Sequence, residues 1–493
     1  MRLWHLFLEA SLAAAQLYQQ QAQTPLQYST PCALLAALFP EQVVNPGEEG
    51  YAHAQEKYWS IQQAELIPAC RFLPRGARDI QIALADVIHP SNASIAISSG
   101  GHSSVTGASN IDDGITFDLS DMSGVNVGDM EETVVLGPGA RWRDVYRTLQ
   151  KQNLTVSGGR VGSVGVGGYV LGGGFSWFAN QYGWTCDTII EFEVVTPQGE
   201  ILWVNAGHHE DLFWALKGSL GAFGIVTKIK MPTLPNTVVY GGALSYEQPH
   251  FPLVCNALKN LAARAEDDLT TQGYLSFAWL QAEKRFEYDV YLINTEGQSS
   301  HEALAAFEAI PHLGGQLSTT TIGKSADDID RSNPLGFRRF KFTLTSTLSP
   351  SAMTAVHDVV KTFTENTKFD PTGVVGVTFQ PLTSSHLKAQ KNIFNLIPSH
   401  GPLLLISVEL WWNDADRDIY FSGKANKLQH DLEATLKKLD AFHPFIYPNY
   451  ASREQNPFAT LDPVTMRMLA ATKRKYDPND RWSKIVPGST YLN

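Results

Sequence analysis

Ser157-Gly158-Gly159-Arg160-Val161-Gly162-Ser163-Val164-Gly165-Val166-Gly167-Gly168-Tyr169-Val170-Leu171-Gly172-Gly173-Gly174 carries nine glycines in eighteen residues. Glycine loses more chain entropy on folding than any other residue and offers no side chain to pack. Such density marks a backbone that must approach something closely or take positive φ. A flexible linker would be serine-rich and polar. Here valines interleave with the glycines, and Phe175 and Trp177 follow. The stretch reads as a loop whose amides lie against a bound group, a phosphate being the natural occupant.

The missing patterns narrow the nucleotide. No G-x-G-x-x-G occurs, which argues against a Rossmann dinucleotide unit. Gly323-Lys324-Ser325 resembles the end of a P-loop, but Ser318 stands where its first glycine belongs, which argues against a Walker ATPase. A second glycine loop, Ser98-Ser99-Gly100-Gly101-His102-Ser103, follows the short strand candidate Ile95-Ala96-Ile97. Two such loops can grip one pyrophosphate from both sides.

The 493 residues, 43% hydrophobic and 11% aromatic, suffice for a large core and two domains. A net charge of −11 with dispersed basic residues argues against a nucleic-acid partner. No apolar run reaches the roughly 18 residues of a membrane span. Four cysteines without a Cys/His cluster suggest neither a disulfide scaffold nor a metal site. Cys186 and Cys255, in apolar surroundings, read as inert buried thiols. Arg2 to Ala15 has the layout of a signal peptide, interrupted by Glu9. With the sequons at Asn92 and Asn153 it predicts a secreted glycoprotein, a cytoplasmic protein with an N-terminal helix being the alternative.

Periodicity predicts helices over 75–87 and 141–151, strands over 94–98, 114–119 and 133–136, and a hairpin of 191–195 with 201–204. From about 236 the pattern changes to long strands, 238–246, 273–280, 285–293, 341–348, 373–381 and 403–412, with helices over 301–310, 352–364 and 418–439. One large antiparallel sheet covered by helices on one face follows, its other face free to cover a cofactor.

Ser99-Gly100-Gly101-His102-Ser103, Asp113 to Leu119, Gly137-Pro138-Gly139-Ala140-Arg141-Trp142, Gly159 to Gly168, Phe213 to Gly218 with Phe223-Gly224-Ile225-Val226-Thr227, and Tyr447-Pro448-Asn449-Tyr450 occur in that order. Together they resemble the FAD-binding p-cresol methylhydroxylase and vanillyl-alcohol oxidase superfamily, most of all its berberine bridge enzyme-like oxidases of fungal type. The resemblance implies an α+β, two-domain fold. A discontinuous cofactor domain of two α/β subdomains (26–235, with a return over 441–493) joins a substrate domain (236–440) built on the large sheet, residues 1–25 being the leader or N-terminal helix. It implies FAD held by Ser99, Gly100, Gly101, His102, Ser103, Gly159, Val161, Gly162, Ser163, Val164, Gly167, Gly168, Gly224, Val226 and Asn449, and bonded covalently to His102. Some relatives attach the flavin a second time through a cysteine where this chain has Val161, so a single attachment is expected. Val164 stands where a valine accompanies oxygen access. Cys32 and Cys70 stand where fungal relatives carry a disulfide.

The implied chemistry is hydride transfer from a small organic substrate to FAD and on to O2 by a monomeric enzyme of secondary metabolism. Secreted carbohydrate or alcohol oxidation, and a flavoprotein that catalyses cyclisation, are the alternatives. Tyr447, placed with Asn449 on one face of an extended segment, is the expected proton acceptor, with Glu409 and Gln380 on the substrate sheet as partners. Phe277, Trp279, Phe379 and Trp411 suggest an apolar substrate.

Overall fold

The computed structural model describes residues 30–235, 238–388 and 391–488; the predicted leader lies outside them. The first part of the chain builds two small sheets. Val43–Val44, Cys70–Phe72, Ile115–Asp118 and Ile95–Ser98 lie side by side in that order, the last three mutually parallel. A disulfide joins Cys32 to Cys70 at this sheet. The second sheet is antiparallel, in the order Val125–Val127, Thr133–Leu136, Ile225–Pro232, Glu191–Val195, Ile201–Asn205. Each sheet has its own apolar core. Against the second packs helix Trp142–Gln150, whose buried Trp142, Val145, Tyr146 and Leu149 recur at helical spacing. The helix expected at 75–87 starts at Ala77 and widens to a π-turn over Ala83–Ile88.

The large sheet has eight antiparallel strands: β1 (Val238–Tyr246), β2 (Thr271–Leu280), β3 (Arg285–Asn294), β4 (Gly314–Thr321), β5 (Arg338–Thr347), β6 (Val374–Leu382), β7 (Leu403–Trp412) and β8 (Phe442–His443), in the spatial order β4-β1-β3-β2-β6-β7-β5-β8. Edge strand β4 escapes sequence reading because Leu317 is its one buried side chain, so no alternation shows. Helix Ile322–Asp330, also not expected, begins at the P-loop look-alike: Thr321 caps it by accepting the Lys324 N–H at 3.1 Å.

The outer face of the sheet is the second core. Leu275, Phe277, Val375, Val377, Phe379, Ile406, Val408 and Leu410 bury there with helices Phe251–Ala263, Pro350–Glu365 and Asp418–Lys438. This corrects the expectation for Phe277, Trp279 and Phe379, which point under the helices and away from the cofactor unit. Side chains alternate along a strand, so their polar neighbours point inward instead.

Strand β8 keeps the chain in the large sheet through His443. Beyond it the chain re-enters the first unit. Helix Pro463–Tyr476 packs on helix Glu210–Ala215, with Lys475 and Tyr476 both on Asp211 (2.7 and 3.0 Å), and the Trp482 indole donates to Gly221 O at 3.0 Å.

Candidate active site

The glycine stretch lies between the first unit and the inner face of the large sheet. Much of its composition answers to protein neighbours. An added Cβ would come within 3.1 Å or less of another atom at every one of the nine glycines except Gly168. Gly100 and Gly165 pack backbone on backbone, a Cβ on either falling 2.4 Å or less from the other's amide nitrogen. Gly158 and Gly159 lie on the Trp142 indole, and Tyr146 donates to Gly159 O at 2.8 Å. Ser99 donates to Pro138 O at 2.6 Å and Gly167 to the same carbonyl at 3.0 Å. Gly162 and Ser163 are occupied by the second unit: the Gly162 N–H donates to Ala326 O at 3.1 Å, and Ser163 bonds Asp330. Gly224, at φ +136°, passes so close to Val195 O that a Cβ would sit 2.3 Å from it, and Val226 continues the strand beside Val194. Val161 and Val164 are half-buried on the same core. The expected phosphate cradle is thus first of all a set of close contacts with neighbouring side chains and, at Gly165, with backbone.

His102 ends the other loop, where Gly101 turns at φ +67° and accepts the Trp59 N–H at 3.1 Å, while Ser103 accepts from Val105 N at 3.1 Å. The imidazole stacks on Trp59 with centroids 4.4 Å apart and planes 16° from parallel. Arg339 lies on Trp59 (4.1 Å) and on Trp411 (4.2 Å). Glu409 fastens that column, pairing with the Arg339 guanidinium and accepting from the Trp411 indole. His102 Nε2 is buried without a partner. Burial, with the nearby charges of Lys341 and Arg339, holds the imidazole well below the ordinary histidine value, so it is neutral and its lone pair is available. An orphaned neutral ring nitrogen beside two glycine loops fits a flavin edge.

The two tyrosines of the Tyr-Pro-Asn-Tyr motif face different ways. The expected extended segment is a 3₁₀ turn, Pro448–Tyr450. Tyr447 is 1% exposed and stacks on Trp184 at 5.0 Å; its hydroxyl accepts from Gly174 N (2.9 Å) and Asn449 Nδ2 (3.1 Å). Burial and two neighbouring phenols keep its hydroxyl well above the ordinary value. Asn449 also donates to Tyr169 O at 3.0 Å, fixing the turn on the glycine stretch. Tyr450 instead reaches the sheet: its hydroxyl lies 3.4 Å from Gln380 Oε1 and its ring 4.1 Å from the Lys341 ammonium. Gln380 also accepts from Arg160. The structure therefore brings Gln380 together with Tyr450 rather than Tyr447, and it ties Glu409 into an ion pair. Tyr450, Lys341 and Arg160 escape sequence reading because their nearness depends on the pairing of β5 and β6 with β7 and on the fold of the returning chain.

A polar row crosses the inner face, each member directly opposite the next: Ser245, Asp289, Ser276, Thr378, Ser407 and Thr343. Ser245 donates to Asp289 at 2.5 Å, and burial raises the Asp289 carboxyl toward its neutral form. Ser276, Ala278, Gly376, Thr378 and Glu409 on this face stay partly accessible while the residues between them are buried. A Cβ on Gly376 would meet nothing within 4 Å, so open space stands over the centre of the sheet.

Residues 68–205 match the family model of an FAD binding domain. The chain is 31% identical over 461 residues to FAD-dependent monooxygenase drtC of Aspergillus calidoustus, covering 91% of this chain and 87% of that one. Among solved structures it is similar to the berberine bridge enzyme-like protein 1 of Physcomitrella patens (TM-score 0.76, 15% identity, 94% and 99% of the two chains). It is also similar to the glucooligosaccharide oxidase of Acremonium strictum (TM-score 0.73, 20% identity, 92% and 98%). With the glycine loops, the stacked histidine and the half-open sheet in place, the chain belongs to the FAD-linked oxidoreductase family of the fungal FAD-dependent monooxygenases, and it has the fold of the berberine bridge enzyme-like proteins.

Proposed function

We propose that the protein is an FAD-dependent oxidase that holds its flavin covalently through His102 and oxidises a small hydroxyl-bearing substrate bound against the inner face of the large sheet. The observation that carries this reading is the buried, neutral imidazole of His102, held by its stack on Trp59 beside the two glycine loops. The solved glucooligosaccharide oxidase is described as having 6-S-cysteinyl, 8α-N1-histidyl FAD. Valine at position 161 leaves this chain the histidyl link alone. Held there, FAD would supply hydride acceptance and two-electron transfer to O2, for the overall reaction of AH2 and O2 to A and H2O2. The modest, half-buried Val164 supports oxygen entry.

The remaining chemistry belongs to side chains. Tyr450 relays the hydroxyl proton of the substrate, taking it as its own phenolic proton passes to water, while Gln380 orients the phenol and Lys341 supplies positive charge at the ring as that proton leaves. Glu409 acts at one remove, through Arg339 and Trp59, on the placement of His102. The hydroxyl row favours a hydroxylated substrate over the apolar one suggested by Phe277, Trp279 and Phe379. The Cys32–Cys70 disulfide and the exposure of Asn92 and Asn153 support passage through the secretory pathway.

Acid denaturation of the purified yellow protein tests the core claim. The flavin should stay on the polypeptide, map to the peptide containing His102, and be released in His102→Ala. Free FAD from the wild-type protein would overturn the covalent link.

A further inference from the structure

Arg160 sits inside the glycine stretch with its guanidinium 4.6 Å from the ring centroids of Phe175 and Tyr274 and 5.5 Å from that of Trp177. One N–H donates to Gln380 Oε1. Among the described residues its other N–H groups have no acceptor, and no carboxylate comes within ion-pair distance. Lys341, beyond Tyr450, is likewise without a carboxylate. The fully buried arginines are neutralised: Arg339 by Glu409, Arg338 by Glu65 and Asp418, Arg71 by Asp118. Asp289, the remaining acid of the inner row, is engaged by the Ser245 hydroxyl at 2.5 Å and pairs with neither cation. The space over Gly376 is therefore bounded by two cations that the protein leaves without counter-ions.

A half-buried guanidinium that rests on aromatic faces, keeps free N–H groups and has no counter-charge is matched to a planar anion, which its fork can take with two parallel hydrogen bonds. Resting on the reading that the substrate lies against this face, we infer that the substrate is an acid, carrying a carboxylate or comparably acidic enolate that pairs with Arg160. Gln380 holds the guanidinium in place by accepting from it, and the Phe175 and Tyr274 rings support its position.

The test uses holoenzyme and a set of planar probes, benzoate, 4-hydroxybenzoate and cinnamate, each against its own amide, with binding followed by the flavin absorbance spectrum. In the wild-type protein at least one acid should bind about tenfold tighter than its amide, an ordinary value for a charge-assisted pair. Arg160→Met should bring the two within about twofold at unchanged flavin content, with Arg160→Lys between, since it keeps the charge and loses the fork. The inference is overturned if no acid is preferred, if the preference survives in Arg160→Met, or if that variant loses its flavin, because the guanidinium would then serve the FAD phosphates. The wild-type comparison decides the matter even where a variant fails to fold. A protein that purifies without flavin would overturn the functional reading itself, whereas a yellow protein indifferent to the charge of its probes overturns the acid alone.

Discussion

Tyr447 and Tyr450, three residues apart, differ in what their hydroxyls already do. That of Tyr447 is consumed by the Gly174 amide and the Asn449 side chain inside a packed core. That of Tyr450 stands at the sheet beside Gln380. Tyr450→Phe should therefore slow anaerobic flavin reduction about 10²-fold or more while flavin stays bound, the usual contribution of a positioned base. Tyr447→Phe should leave that rate little changed. It strands a buried amide N–H and should lower unfolding free energy by about 1–3 kcal/mol in denaturant titration. Reversed phenotypes would return the proton to Tyr447. The motif itself was legible as sequence, but which phenol is spare was not, because that depends on a turn closing onto Gly174 from the far end of the chain.

At the level of the element, strand alternation made the large sheet readable. Strands β1 and β7 fall on their expected residues, and the alternation placing Ser407, Glu409 and Trp411 together holds. The direction each face looks is set by which side the three long helices cover, and they cover the most apolar one. Open space over Gly376 gives a direct check on the other side. Gly376→Phe should fill it and reduce kcat/KM at least about tenfold, with flavin content and melting temperature held, since a Cβ there meets nothing within 4 Å. A collapse in thermal stability would mean that the space is occupied by protein in solution. Replacing Phe379 on the opposite face by Ala should show the converse, a loss of about 3–5 kcal/mol in stability from the vacated core.

For the molecule as a whole, the two units are interlocked rather than tethered: Asp330 of the sheet unit holds Ser163 and Arg143 of the cofactor unit, and the last helices close back over the first. Several histidines are enclosed in this assembly in neutral form. Burial pushes His386 down to about 3 and His443 to about 4, and lowers His102, His357 and His89 as well. The unfolded chain therefore takes up protons below pH 6.5 that the folded chain refuses. Stability is full above that pH and is lost progressively as pH falls through about 6.5 toward 4, by about 1.4 kcal/mol per pH unit for a group as enclosed as His386. Asp187 and Asp289, whose carboxyls are raised by burial, oppose this in part. Thermal melts from pH 7 to 5 should show a falling midpoint with net proton uptake on unfolding; a flat profile would mean that these rings are hydrated in solution. The sequence by itself determined the glycine loops and the alternating strands, because each is written in local spacing, and its ordered motifs carry the resemblance that implies FAD and His102. The tertiary structure alone decided which face of the sheet opens on the site, which tyrosine is spare, that Glu409 is spent on Arg339, and that Arg160 stands without a counter-ion. Those facts depend on partners up to hundreds of residues distant along the chain, and pairing at that range is a property of the packed whole.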